Sequence, residues 1–346
     1  MTIDKLSQTG HCDVADRSSA SKKLNKNLKL NITLVAMIIL AVLSCCFFMY
    51  YGLGELSEKG RNYTLNIRQP RLYAMMIAGG CIGVASIAFQ SVIRNTIVTP
   101  CLLGMNSLYS LVQTSIFFIL GAESIFVYNR NIGFLLNLVV MSATALLIYG
   151  YLFKKTNYNV LYVLLAGTVL SSFFGSITTG MTRIMDPNTY DTLLDSLVAS
   201  FGRVNSDILM ISVGVIIGIA VLFWKDIKLL DVLTLGKNQA INLGIDYDKA
   251  ISRILLAVVI LIAVATALVG PISFLGLIIA NISRQLFNTY RHSYLMAGSA
   301  LFGVIILAGG QGVIEHVLPF TTYISVIINI FGGGYFLFLI MKNKGA

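Results

Sequence analysis

Apolar residues are gathered into long runs with short polar stretches between them, and strand-like alternation is absent. The runs are Leu30–Tyr51, Leu72–Ile93, Leu102–Leu120, Ile132–Phe153, Val160–Met181, Ile208–Trp224, Ile251–Val269, Ile272–Leu286, Tyr294–Gly309 and Tyr323–Met341. A helix crossing a bilayer needs roughly 20 apolar residues, so the pattern predicts an all-α integral membrane protein of about ten transmembrane helices. Those starting at Leu102, Ile272 and Tyr294 are short or broken. Residues 1–29 are polar and end in KKLNKNLK, which predicts a disordered basic cytoplasmic tail ahead of a polytopic domain over 30–341. The first run is too long for a signal-peptide core and no small-residue cleavage site follows, so it is expected to be retained.

Two polar interruptions carry structure of their own. Outside, Asp186 can cap a helix opening with Pro187, and Leu193, Leu194, Leu197, Val198 and Phe201 recur at helical spacing up to Gly202. This predicts an amphipathic extracytoplasmic helix over about 186–202, either a lid packed on the bundle or part of a pore mouth. Inside, the charged stretch Trp224–Arg253 holds two short apolar-faced segments, Leu229–Leu235 and Asn238–Leu243. Each is followed by a glycine, Gly236 or Gly244, where a helix can end in the left-handed conformation. A plain connector needs no such helices. They are read as a docking element for a separate motor protein, against the alternative of an ordered surface loop.

Composition agrees with this picture: 56% of residues are apolar, 12% are charged, and mean hydropathy is +0.81. The net charge of +10 reflects topology rather than nucleic-acid binding, because more than two-thirds of the 25 Lys and Arg fall on the side of the N-terminus. Both termini are therefore placed in the cytoplasm. The five cysteines lack zinc-like spacing and the three histidines are far apart, so no metal site is expected. No GxxxxGK[ST] occurs. The chain is expected to bind no cofactor and catalyse no reaction, and any ATP and Mg must be held by a partner subunit. Acidic and basic residues are missing from the middles of the spans, which weighs against a self-sufficient proton- or sodium-coupled carrier.

Four smaller patterns carry candidate functions. Arg68 and Arg71 flank Pro70 at the outer entrance of the second span, where the proline suits a first helical turn. They could pair with carboxylates of an incoming protein, or anchor the helix by snorkelling. Gly79, Gly80 and Gly83 have the spacing for close helix approach. The inner turn Arg94–Gly104, with Asn95, Pro100 and Leu103, either constricts a pore at its cytoplasmic end or joins two helices. Thr168, Ser171, Ser172, Gly175 and Thr179 share one face of the fifth span. They line a translocation path or form a packing seam.

In combination these stretches resemble the FecCD or BtuC family, the type II import permeases of ATP-driven transporters for iron siderophores, haem and vitamin B12. The resemblance covers roughly residues 65–341. It rests on R-x-P-R at Arg68–Arg71, R-N-x(4)-P-x-L-L-G at Arg94–Gly104, L-x-L-G-x(3)-A-x-x-L-G at Leu233–Gly244, and G-P-I-x-F-x-G-L with a following arginine at Gly270–Arg284. It implies binding-protein docking by Arg68 and Arg71. It also implies ATPase coupling by Leu229, Leu233, Leu235, Gly236, Ala240, Leu243 and Gly244, and an inner gate at Asn95–Leu103. The implied assembly has a second permease chain, identical or paralogous, two ATPase subunits and an extracytoplasmic siderophore-binding protein, in a bacterial cytoplasmic (inner) membrane. The stretch Met181–Asn188, with Tyr190, Asp191 and Phe201, resembles the ferric-siderophore branch, whose substrates include anguibactin, petrobactin and vibriobactin. Haem or vitamin B12 remains the alternative cargo. Thr96 stands where many members have proline, Ala280-Asn281 replaces Pro-His, and Gly334 replaces a proline of the last span.

Overall fold

Long apolar segments in a medium without water must satisfy their backbone internally, and the helix does so within one segment. The computed structural model describes residues 4–54, 57–121, 123–125, 129–156, 160–202, 204–316 and 322–343. Its helices are α1 (Asp4–Tyr50), α2 (Glu58–Ile93), α3 (Met105–Leu120), α4 (Arg130–Lys155), α5 (Val160–Ile184), α6 (Pro187–Leu197) and α7 (Ser206–Leu233). They continue with α8 (Lys237–Asn242), α9 (Tyr247–Val269), α10 (Leu275–Phe287), α11 (His292–Val304), α12 (Gly310–His316) and α13 (Ile324–Asn343). A short 3-10 turn, Pro100–Leu103, precedes α3, and a π-helical turn, Ile305–Gly309, joins α11 to α12. Among the described residues, 7 helices are long and apolar enough to cross a membrane, the α11–α12 unit counting as one. Three shorter apolar helices, Met105–Leu120, Leu275–Phe287 and Ile324–Leu339, complete the ten spans read from the sequence.

The core is built on α2 and α9, the most enclosed spans, with 67% and 72% of their apolar windows buried. Helix α2 meets α11 at backbone contact: a Cβ on Gly79 would lie 2.6 Å from the Gly303 carbonyl carbon, and one on Gly83 would lie 2.7 Å from that of Ser299. The close approach read from the glycine spacing is therefore real for Gly79 and Gly83. Gly80 instead faces open space.

Several boundaries differ from the sequence reading. Helix α1 runs back to Asp4 through the stretch expected to be a disordered tail, residues 1–3 of which lie outside the described residues. No proline occurs before Pro70 to stop it. Helix α2 starts at Glu58, with Ser57 as N-cap, so Pro70 lies inside the helix rather than in its first turn. The outer helix has the expected start, since Asp186 accepts from Asn188 N and Thr189 N. It stops at Leu197, short of Gly202, because Val198 turns extended and Ser200 N–H donates to Val269 O at 2.8 Å, tying the rest to the end of α9.

The first short inner helix is not separate. Residues 229–233 are the last turn and a half of α7, which runs on from the membrane with Leu230 and Leu233 buried on the bundle. No glycine or proline occurs between Gly218 and Gly236 to interrupt it. Gly236 adopts φ +123 and ψ 162, outside the left-handed helical region expected for it. Only α8 is an independent short helix.

Candidate functional site: the cytoplasmic end and the open face of α5

Helix α8 ends in a Schellman motif. Gly244 sits at φ +79, its N–H donates to Ile241 O at 2.9 Å, and Ile245 N–H donates to Ala240 O at 3.0 Å. Asp246 then caps α9 by accepting from Lys249 N, and Lys237 pairs with Asp248 at 2.9 Å. The hydrogen bond from Lys249 holds the exposed Asp246 carboxyl below its usual range. These local bonds fix a short helix that packing alone would hold weakly.

The residues assigned to coupling divide into two groups. Leu233 and Ala240 are buried and Leu229 is half-buried, so they seat the element on the bundle. Leu235 and Leu243, at 55% and 62% exposed, project away from it together with Ile241 at 51%. Three large apolar side chains are thus exposed on a polar segment, as they are where a surface meets another protein. Sequence reasoning misses Ile241, because nothing in the pattern distinguishes it from a core residue. Gly236 also lies against the inner turn, since a Cβ there would stand 2.7 Å from Arg94 Nη2, which itself donates to Leu233 O at 3.4 Å. That turn is thereby bonded to the C-terminal end of α7, where a cation is favoured.

Within the inner turn Asn95 is exposed and its Oδ1 accepts from Ile97 N, whereas Pro100 and Leu103 are buried. Gly104, at φ +81, lets the backbone lie directly on α5: a Cβ would approach Ser171 Oγ to 2.7 Å and Gly167 O to 3.2 Å. The structure thus brings the inner turn onto the hydroxyl face of α5. On that face Thr168, Ser172 and Thr179 are exposed, and Ser171 and Gly175 are half-buried. The hydroxyls of Thr168, Ser171, Ser172 and Thr179 donate to backbone carbonyls of the preceding turn. Their protons are used internally, and the face presents oxygen lone pairs and small groups outward.

At the outer end the two arginines part company. Arg68 is 9% exposed; its Nη1 donates to Met49 O and Tyr51 O at 3.0 Å each, and Nη2 lies 3.0 Å from His316 Nε2. It closes the end of α1, whose last carbonyls have no intrahelical donor, and this occupies the group expected to meet a binding protein. Arg71 remains partly open, loosely paired with Glu315 at 3.6 Å, and lines a surface cavity of about 350 Å³ with Phe201, Gly202 and Tyr323. Helix α6 buries Leu193 and accepts the Tyr109 hydroxyl at Ser196 O, at 3.2 Å, so it packs on the bundle. Among the described residues no group of three His, Cys, Asp or Glu could hold a metal ion.

Known proteins resemble the chain in sequence and in fold. The chain is 40% identical over 311 residues to a petrobactin import system permease protein, YclO, of Bacillus subtilis, covering 90% of this chain and 97% of that one. It is 33% identical to the petrobactin permease FatC of Bacillus anthracis, covering 90% and 89%. The hemin transport permease HmuU of Yersinia pestis is more distant, at 26% over 93% and 98%. A solved structure described as an inward-facing conformation of a metal-chelate type ABC transporter shares the fold, with a TM-score of 0.76 at 20% identity over 89% of this chain and 98% of that one. With the profile of the FecCD transport family matching residues 27–342, nearly the whole of this ten-span bundle, the chain belongs to that family.

Proposed function

We propose that the chain is the permease subunit of an ATP-driven importer that carries a ferric siderophore, of catecholate or mixed catecholate type, across a bacterial cytoplasmic membrane. It takes the cargo from an extracytoplasmic binding protein and works with a second permease chain and two ATPase subunits. The cargo assignment draws on the petrobactin permeases among its relatives, which are more similar to it than those for haem or vitamin B12. No cofactor is assigned to this chain; ATP and Mg belong to the ATPase.

The observation that carries the reading is the exposure of Leu235, Ile241 and Leu243 on the turn and the short helix α8 that follow the end of α7. Motion of this surface in an ATPase cleft would reach α7 through the Thr234–Gly236 turn and the burial of Ala240 on the bundle, and α7 is one continuous helix up to Leu233. Arg94 and Gly104 then connect that end to the inner turn and to α5. Carrying a gate from 1:99 to 99:1 takes about 5.5 kcal/mol of differential binding. Nucleotide-driven closure of the ATPases would supply it. Arg71 is the arginine left to meet carboxylates of the binding protein.

Uptake of 55Fe-petrobactin into vesicles should require the ATPase and hydrolysable ATP. Leu243→Asp should lower binding-protein-stimulated ATP hydrolysis at least tenfold. Uptake by the purified chain without any ATPase, or unchanged stimulation in Leu243→Asp, overturns the proposal.

A further inference from the structure

Between the docking element and the inner turn lies a run of polar side chains that the contacts above do not include. Asp231, in the last turns of α7, accepts through Oδ1 from the His292 backbone N–H at 2.9 Å and faces His292 Nδ1 in a short contact. The carboxylate places a proton on Nδ1 and leaves Nε2 facing Ser91 Oγ of α2 at 2.8 Å. Ser91 Oγ also lies 2.7 Å from Ile87 O and accepts from Arg284 Nη2 of α10 at 3.0 Å. Arg284 Nε donates to Gln90 Oε1 at 3.3 Å, and Gln90 Nε2 donates to Thr96 O, in the inner turn, at 2.8 Å. Asn281 Nδ2 donates to the same carbonyl at 2.9 Å.

The run is continuous, and most of it is shielded from water. Gln90, Ser91, Asn281 and His292 are all buried. Apolar side chains at helix contacts can slide past one another, whereas a hydrogen bond weakens steeply once its length or angle leaves a narrow range. Moving the end of α7 by about an ångström must therefore drag the chain of bonds along or break it. Breaking it strands several buried polar groups, each of which then carries its desolvation cost without a partner. Ser91 adds a switch point, since its single proton has two acceptors within reach, Ile87 O and His292 Nε2. The far end of the run is a backbone carbonyl of the turn that lies against α5.

We propose that Asp231, His292, Ser91, Arg284 and Gln90 form a strut that transmits displacement of the α7–α8 end to Thr96, making them positioning residues for the inner gate. The inference rests on the coupling reading above and names the route inside the permease.

The test uses the complete complex in vesicles with its binding protein and ferric petrobactin, measuring iron taken up and ATP hydrolysed in the same sample. His292→Leu and Gln90→Leu are each expected to lower iron transported per ATP at least fivefold while basal hydrolysis stays within twofold. The double variant should be no worse than the poorer single one, because both cut one route. His292→Gln, which can still bond in both directions, should recover at least half of the loss. A spin label at Asn95→Cys should report an ATP-dependent change in the parent complex that disappears in His292→Leu and Gln90→Leu. Unchanged iron per ATP with an unchanged label response overturns the strut, as does a proportional fall of both activities, which marks a merely structural role. Should His292→Leu fail to assemble, Gln90→Leu and His292→Gln give the same reading. Leu243→Asp, run in parallel, separates the two claims: normal stimulation there removes the docking reading, whereas lost stimulation with intact strut variants removes the strut alone.

Discussion

Arg68 and Arg71 belong to one sequence element, yet what each contacts sets a different consequence for its removal. Replacing Arg68 with leucine strands the carbonyls of Met49 and Tyr51 and leaves His316 without its partner. Bonds to charged groups are worth about 1.5–3 kcal/mol each, so thermal unfolding in detergent should show a clear fall in Tm. Arg71→Ala removes a long, partly exposed ion pair and should change stability by less than about 0.5 kcal/mol. Its effect should appear as a several-fold weaker affinity for the binding protein, measured by surface plasmon resonance. Sequence alone does not separate the two arginines. Arg68's partners come from the end of α1 and from a histidine 248 positions away, and that meeting exists only in the folded bundle. The same holds for His292, one of three histidines too scattered to suggest a cluster, whose role lies with Asp231 and Ser91. Thr96 and Asn281, both departures from the family pattern, are bonded to each other through the Thr96 carbonyl.

At the scale of elements, features written in neighbouring residues are legible in the sequence and features that depend on packing are not. Asp186 followed by Pro187 starts α6 as its chemistry requires, and Gly244 closes α8 in the left-handed conformation. The glycine at 236 reads like a second such stop. The helix before it instead runs on from the membrane, because Leu230 and Leu233 find burial against the bundle. The α2–α11 crossing gives a sharp test of how backbone proximity divides neighbouring glycines. Gly79→Ala places a methyl 2.6 Å from the Gly303 carbonyl carbon and 2.9 Å from its oxygen, where backbone cannot yield without moving the helix. Gly80→Ala meets nothing within 4 Å and adds helix propensity. The first should lower Tm and expression of the folded chain by an amount typical of overpacking, about 1–3 kcal/mol. The second should be neutral or slightly stabilising, and equal effects at the two positions would show that the helices are not in contact there.

Across the whole molecule, burial marks which faces are left open, and the composition of the open faces divides them. Helices α1, α5 and α7 are the least enclosed of the long spans, at 22%, 17% and 22%. The open faces of α1 and α7 are aliphatic, with Ile32, Val35, Ile39, Met210, Ile217, Val221 and Leu222, as a lipid boundary demands. The open face of α5 interleaves Leu165, Val169 and Phe173 with Thr168, Ser172, Ser176 and Thr179. Hydroxyl groups bonded to the backbone present small surfaces and lone pairs, and under the proposed importer role such a face would suit the passage of a bulky polar chelate. A second permease chain set against this face would enclose that path, with the inner turn at its lower end through Gly104 and Ser171. Two substitutions of similar size then have different expected outcomes. Ser172→Phe should cut iron uptake at least tenfold while ATP hydrolysis and Tm stay near those of the parent, because the ring intrudes on the passage and not on the core. Leu222→Phe, on the aliphatic face of α7, should leave both uptake and hydrolysis unchanged. If Ser172→Phe transports normally, α5 borders lipid or a packing seam, and the passage must be sought on another face of the bundle.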